Sequence, residues 1–327
     1  MKYSVLLPVV PARPEPAVMF ANLVQWTAAE RLWQGQSLVL DPHHLAQWLA
    51  GIGIRVPMGF GVSLMPMRSP YQAAFEARSV ALATGHSVVA GFGPGPVSFQ
   101  SALLGRPYAR PLRAAREYAT IVRALVSGED AMVEGEYFSV AARLLPRPAP
   151  QVEVGLGVLR PKMAALAGEV ADRAITWLLP AGYLAETLVP AMRGADRKLE
   201  QPVRTTAIVP LAVARPDRDV TALVQATCGN HLQAPHYQDA LRKAGMAVSD
   251  QGDAQDAGRV VDAGAFLYGT VEQIHERLAE FGAAGVDEVV LNTIGVAQVH
   301  GPKAAAQDLL QILGSASGVS ASDVGLT

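Results

Sequence analysis

Val56-Pro-Met-Gly-Phe-Gly-Val-Ser-Leu-Met-Pro-Met-Arg-Ser-Pro70 and, about one helix later, Ser87-Val-Val-Ala-Gly-Phe-Gly-Pro-Gly95 are two short β-rich runs that end in glycine instead of bulky side chains. Bare backbone at the C-terminal end of a strand lets a flat ligand approach closely. The pair reads as a cofactor floor. Outward from it, short β-branched stretches alternate with Ala-rich segments of helical period, the pattern of βα units on a parallel sheet. Strands are expected over 3–9, 31–37, 55–64, 87–92, 152–156, 174–179, 205–214 and 288–292. Helices are expected over 17–30, 42–50 with Asp41 as N-cap, 71–84 closed by Gly85, 112–125, 162–171, 183–199, 271–285 and 303–313.

Eight strands interleaved with helices over this length make a (β/α)8 barrel, the TIM-barrel architecture, with insertions at the C-terminal face of the strands. An open doubly wound sheet is the second reading. One domain is expected over 1–313, with excursions over about 94–111, 130–150 and 219–261 and a small polar tail over 314–327 that is expected to be disordered. Within the second excursion, 131–140 reads as a hairpin centred on Gly135.

Composition narrows the partners. Of 327 residues, 17% are charged and the net charge is -2, which gives no electrostatic footprint for nucleic acid or an anionic membrane. A small molecule or a peptide is the expected partner, and a homodimer is compatible with the reading. Cys228 is the only cysteine, so neither a disulfide framework nor a cysteine-based zinc site is available. No metal site is expected: Cys228 and His231 are spaced i,i+3 but have no further ligands. No apolar run approaches the roughly 20 residues that span a bilayer, and the N-terminus shows no cleavage signature, so a cytoplasmic protein is expected.

In a barrel, ligands sit where the strands' C-terminal ends converge. That places Trp33, Gln34, Gln36 and Ser37, then Gly61 and Val62, then Gly93, Pro94 and Gly95, then Thr176 and Trp177, then Asn292 and Thr293 at the mouth. The turn Gly155-Leu-Gly-Val-Leu-Arg-Pro-Lys-Met163 opens a helix, and its free N–H groups with Arg160 and Lys162 suit an anion. An ordinary solvated loop is the competing reading there. Trp33 and Trp177 either stack on a ligand or pack in the core. His43 and His44 read as a helix-start pair, and Arg68 as half of a structural ion pair. Glu134 and Glu136 lie on the hairpin, away from the mouth, which weakens a paired-carboxylate glycosidase reading. His231 and Tyr237 lie in the excursion expected to cover the pocket.

Met58-Gly-Phe-Gly-Val-Ser-Leu-Met-Pro with Arg68 and Pro70, Gly91-Phe-Gly-Pro-Gly, Gly128-Glu with Gly135-Glu-Tyr-Phe, and Leu166-Ala-Gly-Glu-Val-Ala-Asp-Arg-Ala-Ile175 together resemble the luciferase-like flavin- and deazaflavin-dependent oxidoreductases. The resemblance covers most of the chain. It implies a (β/α)8 barrel holding coenzyme F420, or alternatively FMN, against the third strand, where a non-proline cis peptide of this family would fall at Gly61-Val62. It also implies a phosphate position in the turn Gly157, Val158, Leu159, Arg160 and Lys162; Trp177, from its own place at a strand end, is counted with these as an expected cofactor residue.

The chain departs from the family's sugar-phosphate dehydrogenases. Gln36 and Ser37 stand where those enzymes carry an Asp-His pair, and Pro96 where they carry a glutamate. Alcohol oxidation needs a base for the hydroxyl proton. Reduction of an electrophilic C=C or C=N bond, as in an enone, an imine or a dehydroamino acid of a modified peptide, needs only a mild proton donor. Gln36, Ser37, His231 and Tyr237 are the expected catalytic residues. An FMN-dependent monooxygenase and a non-catalytic flavin-binding protein are the alternatives. A Schiff-base aldolase is disfavoured because none of Lys2, Lys162, Lys198, Lys243 and Lys303 falls inside an expected strand beyond its first residues.

Overall fold

Residues Val88–Gly93 are buried along their whole length, and Glu288–Asn292 likewise, as expected of parallel strands covered by helices on one side and packed core on the other. The computed structural model describes residues 1–197, 199–250, 252 and 254–314. Its strands are β1 (Lys2–Leu6), β2 (Leu32–Gln34), β3 (Met58–Leu64), β4 (Val88–Gly93), β5 (Ala131–Glu134), β6 (Ser139–Ala142), β7 (Val152–Gly157), β8 (Arg173–Trp177), β9 (Arg204–Val213), β10 (Leu267–Gly269) and β11 (Glu288–Asn292). The strand order is β10-β9-β11-β1-β2-β3-β4-β7-β8 with a further β9–β8 pairing, while β5 and β6 form a separate antiparallel hairpin. The fold is a (β/α)8 barrel, with β10 an additional short strand on β9.

The chain divides into two compact units. The first takes residues 1–32, 176–190 and 205 onward. In it β1 pairs in parallel with β11, from Lys2 opposite Glu288 to Val5 opposite Leu291, and β11 pairs with β9 up to Asn292 opposite Pro210. At the N-terminal end of β11, Ser4 Oγ donates to Glu288 Oε1 at 2.6 Å and Arg31 Nε donates to the same oxygen at 3.2 Å. After β9 come the helices Val220–Leu232, Pro235–Lys243 and Ala254–Asp262. Helix Val220–Leu232 lies so close to helix Ile294–His300 that a Cβ on Gly295 would meet Thr227 Oγ1 at 2.3 Å and Leu223 O at 2.4 Å.

The second unit takes residues 33–175 and 191–204. Here β3 pairs with β4 and β4 with β7, and the β3–β4 register shifts between Phe60 and Ser63. The Gly61–Val62 peptide within that shift is cis, at the position the family resemblance implies. Helix Pro70–Thr84 ends at Gly85, whose φ of 73° is the left-handed closure that glycine adopts without penalty. Arg68 bonds Asp41 at 2.7 Å and Glu76 at 3.0 Å, the structural ion pair expected of it. Asp41 also accepts from the backbone N–H groups of His43 and His44 as N-cap of helix Pro42–Gly51. Burial works against the Asp41 carboxylate, but His43 hydrogen bonds and the Arg68 charge outweigh it and hold its carboxyl well below the usual range.

Several elements differ from the sequence expectation. The helix expected over 183–199 is instead Ala181–Tyr183, a wide turn Leu184–Leu188 and a short Val189–Arg193. Pro190 lacks an N–H and cannot complete the regular ladder through this stretch. Strand two is three residues, not seven, because Gly35 onward turns to solvent. Helices Val97–Leu104 and Ile294–His300 and strand β10 lie where connections were expected. Of the tail 314–327, residues 315–327 lie outside the described residues. No helix among the described residues is long and apolar enough to cross a membrane.

Candidate functional site

In the second unit the glycines of β4 and β7 face side chains of their own chain. A Cβ on Gly93 would lie 2.9 Å from Val62 Cγ2, one on Gly157 3.3 Å from Val62 Cγ1, and one on Gly91 2.3 Å from Ile175 Cδ1 and 2.4 Å from Phe60 O. The space left by the missing side chains is therefore filled by Val62 and Ile175, which corrects the expectation that bare backbone itself forms the floor. The half-buried Val62 is what the cradle presents. Trp33 is wholly buried, and a Cβ on Gly59 would meet its ring at 2.3 Å, so Trp33 packs in the core and lines no ligand space.

The loop after β4 is braced. Gln100, 3% exposed, donates to Gly95 O at 2.8 Å and accepts from Tyr108 N at 2.9 Å, which fixes Pro94 and Gly95 at the start of helix Val97–Leu104. After β2, Ser37 Oγ accepts from Val39 N at 3.0 Å and Gln36 Nε2 donates to Ser37 O at 2.8 Å, so both residues shape the turn. At the turn after β7, Val158 is buried and its N–H bonds Ile175 O at 2.7 Å. The N–H groups of Met163 and Ala164 both go to Arg160 O, which reduces the donors this helix start offers an anion. Leu159 is half-buried, and Arg160 and Lys162 are exposed. Lys162 lines a groove of about 740 Å³ with Arg113, Arg116, Glu117 and Glu169.

A different signal marks the strand ends. Gln34 Nε2, Gln36 Oε1, Ser63 Oγ and Tyr108 Oη in the second unit are buried without a hydrogen-bond partner among the described residues. In the first unit the same holds for Trp177 Nε1, His231 Nδ1, Asn292 Nδ2 and Thr293 Oγ1. An unsatisfied buried polar group costs about 1–3 kcal/mol, so these atoms are where a bound molecule gains most. Sequence reading named Gln34, Asn292 and Thr293 from their place at strand ends. It missed Ser63 and Tyr108; a serine inside an otherwise apolar strand was the available sign for the first.

The first unit also gathers its aromatic residues. The Trp177 and His231 rings are 5.0 Å apart, His231 meets Tyr237 edge-on at 4.8 Å, and Tyr237 lies 4.6 Å from His236. Burial, with a smaller effect of His236, lowers His231 to about 4, so its imidazole is neutral at neutral pH. Burial raises Tyr237 above its ordinary value and keeps its hydroxyl protonated. Cys228 is buried, and its thiol is raised far above the reactive range. Immediately after Trp177, Leu178 takes a φ of 55°, a left-handed conformation that costs a bulky residue about 1–2 kcal/mol.

Solved structures share the fold. The coenzyme F420-dependent tetrahydromethanopterin reductase from Methanopyrus kandleri is 18% identical, with a TM-score of 0.69, over 95% of this chain and 97% of that one. An F420-dependent secondary alcohol dehydrogenase is 15% identical, with a TM-score of 0.71, over 95% and 98%. The EDTA monooxygenase from Chelativorans sp. BNC1 is also 15% identical at a TM-score of 0.71, over 100% and 98%. An uncharacterized protein of Mycobacterium tuberculosis is 28% identical over 110 residues, which span 33% of this chain and 38% of the length of that relative. The sequence model of the luciferase-like monooxygenases matches residues 1–288, nearly the whole barrel. The chain belongs to the luciferase-like monooxygenase family.

Proposed function

We propose that this chain is an F420H2-dependent oxidoreductase that reduces an electrophilic C=C or C=N bond of a small molecule or of a modified peptide, such as a dehydroamino acid. One observation carries the direction of the reaction. The eight barrel strands end in Leu6, Gln34, Leu64, Gly93, Gly157, Trp177, Val213 and Asn292, so none ends in a carboxylate. The unpaired buried atoms there belong to amides, hydroxyls, an indole and an imidazole. The amides, hydroxyls and indole hold and orient a substrate, and the one imidazole, that of His231, is lowered to about 4 by burial, which makes it a weak base for an alcohol proton.

In the second unit Gln34 Nε2, Ser63 Oγ and Tyr108 Oη can donate to, and Gln36 Oε1 can accept from, a ring edged with carbonyl, nitrogen and N–H groups, and Val62 offers it an apolar face. Gln34, Gln36, Ser63, the chain from Gly93 to Gly95 and the turn from Gly157 to Lys162 are the residues that would hold the deazaflavin. When bound, that cofactor supplies hydride. The second unit's part is to bind that group; within the first unit, Tyr237 keeps its hydroxyl proton across the physiological range and is the mild proton donor such a reduction needs. His231, neutral and in edge-on contact with the Tyr237 ring, adds no charge beside that ring.

Two of the similar structures are named as F420-dependent and one as a monooxygenase. Fluorescence titration of the purified chain with F420 and with FMN separates the readings. Saturable binding of F420, with FMN at least tenfold weaker, is expected. Tight FMN binding without F420 binding overturns the proposal in favour of a flavin monooxygenase.

A further inference from the structure

Resting on that reading, we propose that Trp177, His231, Tyr237, Asn292 and Thr293 form a substrate recess in the first unit that takes a planar, uncharged group bearing a hydrogen-bond acceptor, such as a conjugated ketone, lactone or amide. The placement follows from the helices. Thr227 and His231 stand four residues apart on helix Val220–Leu232, and so on one face of it. Thr227 presses on Gly295, which lies two residues beyond Thr293 and three beyond Asn292. The contact at Gly295 leaves no room for a Cβ, so it fixes His231 within about a helical turn or two of the end of β11. Ring contacts then tie His231 to Trp177 at the end of β8, tilted at 5.0 Å, and to Tyr237 on the next helix, edge-on at 4.8 Å.

The chemistry of the five side chains selects the ligand. The indole N–H of Trp177 and the amide N–H of Asn292 only donate, and the Thr293 hydroxyl is free to donate; all three are buried without partners among the described residues. Asn292 and Thr293 are fully buried, so a ligand acceptor that reaches them replaces no solvent contact. Two rings tilted by 40° and a third edge-on give a planar group apolar surface to lie against. None of the five brings a formal charge, because burial keeps His231 neutral. A carboxylate or phosphate entering here would lose its hydration without gaining a counter-charge. A neutral acceptor gains the donors at little cost.

The test uses coumarin, an uncharged planar lactone, and coumarin-3-carboxylate, the same ring system with a charge, each titrated against the full chain by ligand-observed NMR. Coumarin is expected to saturate, with the carboxylate at least tenfold weaker. Trp177→Phe keeps the stacked ring and removes the donor, and Thr293→Val keeps the shape and removes the hydroxyl. Each is expected to weaken coumarin at least fivefold while circular dichroism matches that of the parent. Equal or tighter binding of the carboxylate, no coumarin binding, or unchanged affinity in both folded variants overturns the inference. Loss of F420 binding alone, with the coumarin pattern intact, counts against the cofactor reading and not against the recess.

Discussion

Val62 occupies the space in front of Gly93, with its Cγ2 2.9 Å from where a Cβ on that glycine would stand. The neighbour is one branch of a half-buried side chain, so the clash of a Gly93→Ala change is relieved by trimming it. At Gly91 the obstacle includes Phe60 O at 2.4 Å, which is backbone and does not move aside. Gly93→Ala is expected to cost about 1–3 kcal/mol, most of it recovered in the Gly93→Ala, Val62→Ala double variant. Gly91→Ala is expected to cost more and to regain only a small part of it from Val62→Ala, because Val62 Cγ1 at 3.3 Å is the lesser obstacle there. Urea unfolding of these four variants beside the parent and Val62→Ala checks both, and full rescue of Gly91→Ala by the valine change would contradict this account.

The hairpin formed by β5 and β6 hangs on one carboxylate. Glu117 accepts the backbone N–H groups of Glu136 at 3.0 Å, Tyr137 at 2.8 Å and Phe138 at 3.1 Å, with Arg113 at 3.0 Å on the same side chain. Burial opposes the charge, but these donors outweigh it and hold the carboxyl below its ordinary 4.5. A lowered folded pKa means that stabilisation is complete above about 4.5 and disappears as pH falls through the folded value. Glu117→Gln is expected to lose about 1–3 kcal/mol at neutral pH and to show a shallower acid limb, read from urea midpoints between pH 3 and 7.

His231 has the opposite charge type, and the window shifts accordingly. The fold favours its neutral form and lowers it to about 4, whereas the unfolded chain takes up the proton near the ordinary 6.5. Stability therefore falls as pH drops from about 6.5 to about 4, by at most about 3 kcal/mol, and this group adds no further change below that. His231→Phe keeps an aromatic ring between Trp177 and Tyr237 and removes the titration. A variant whose stability runs parallel to the parent's between pH 7 and 4 would show that His231 is not held neutral.

The strand-and-helix alternation was legible because the barrel strands are short β-branched runs between helices of regular period, and Glu288–Asn292 lies on the residues expected of it. Composition also gave Asp41 as a cap and Arg68 as an ion-pair member, since both depend on local chain chemistry. What the sequence did not show was which neighbour fills a gap. Glycines at 91, 93 and 157 look alike whether a ligand or a valine covers them, and only the register shift in β3 turns Val62 onto them. Trp33 and Trp177 are likewise indistinguishable in sequence, yet one is sealed against Gly59 and the other meets the His231 ring at a tilt with its indole N–H unpaired among the described residues. Such differences arise from contacts between distant segments, which local propensity does not encode.

At the opposite end of β11 from Asn292, Glu288 should matter for stability alone. Its side chain is 1% exposed and that of Arg31 3%, and the carboxylate holds both the Arg31 guanidinium and the Ser4 hydroxyl. Removing Glu288 leaves the buried Arg31 guanidinium with only the partly exposed Glu30, 3.5 Å away, so Glu288→Ala is expected to cost about 3 kcal/mol, the low end for breaking a buried pair. Groups at the N-terminal ends of barrel strands support the fold, whereas ligands meet the C-terminal ends. Where Glu288→Ala folds at reduced temperature, its F420 titration should therefore match the parent's within about twofold, while thermal unfolding shows the loss. A large drop in F420 affinity with unchanged thermal stability would reverse that assignment of roles between the two ends of the strand.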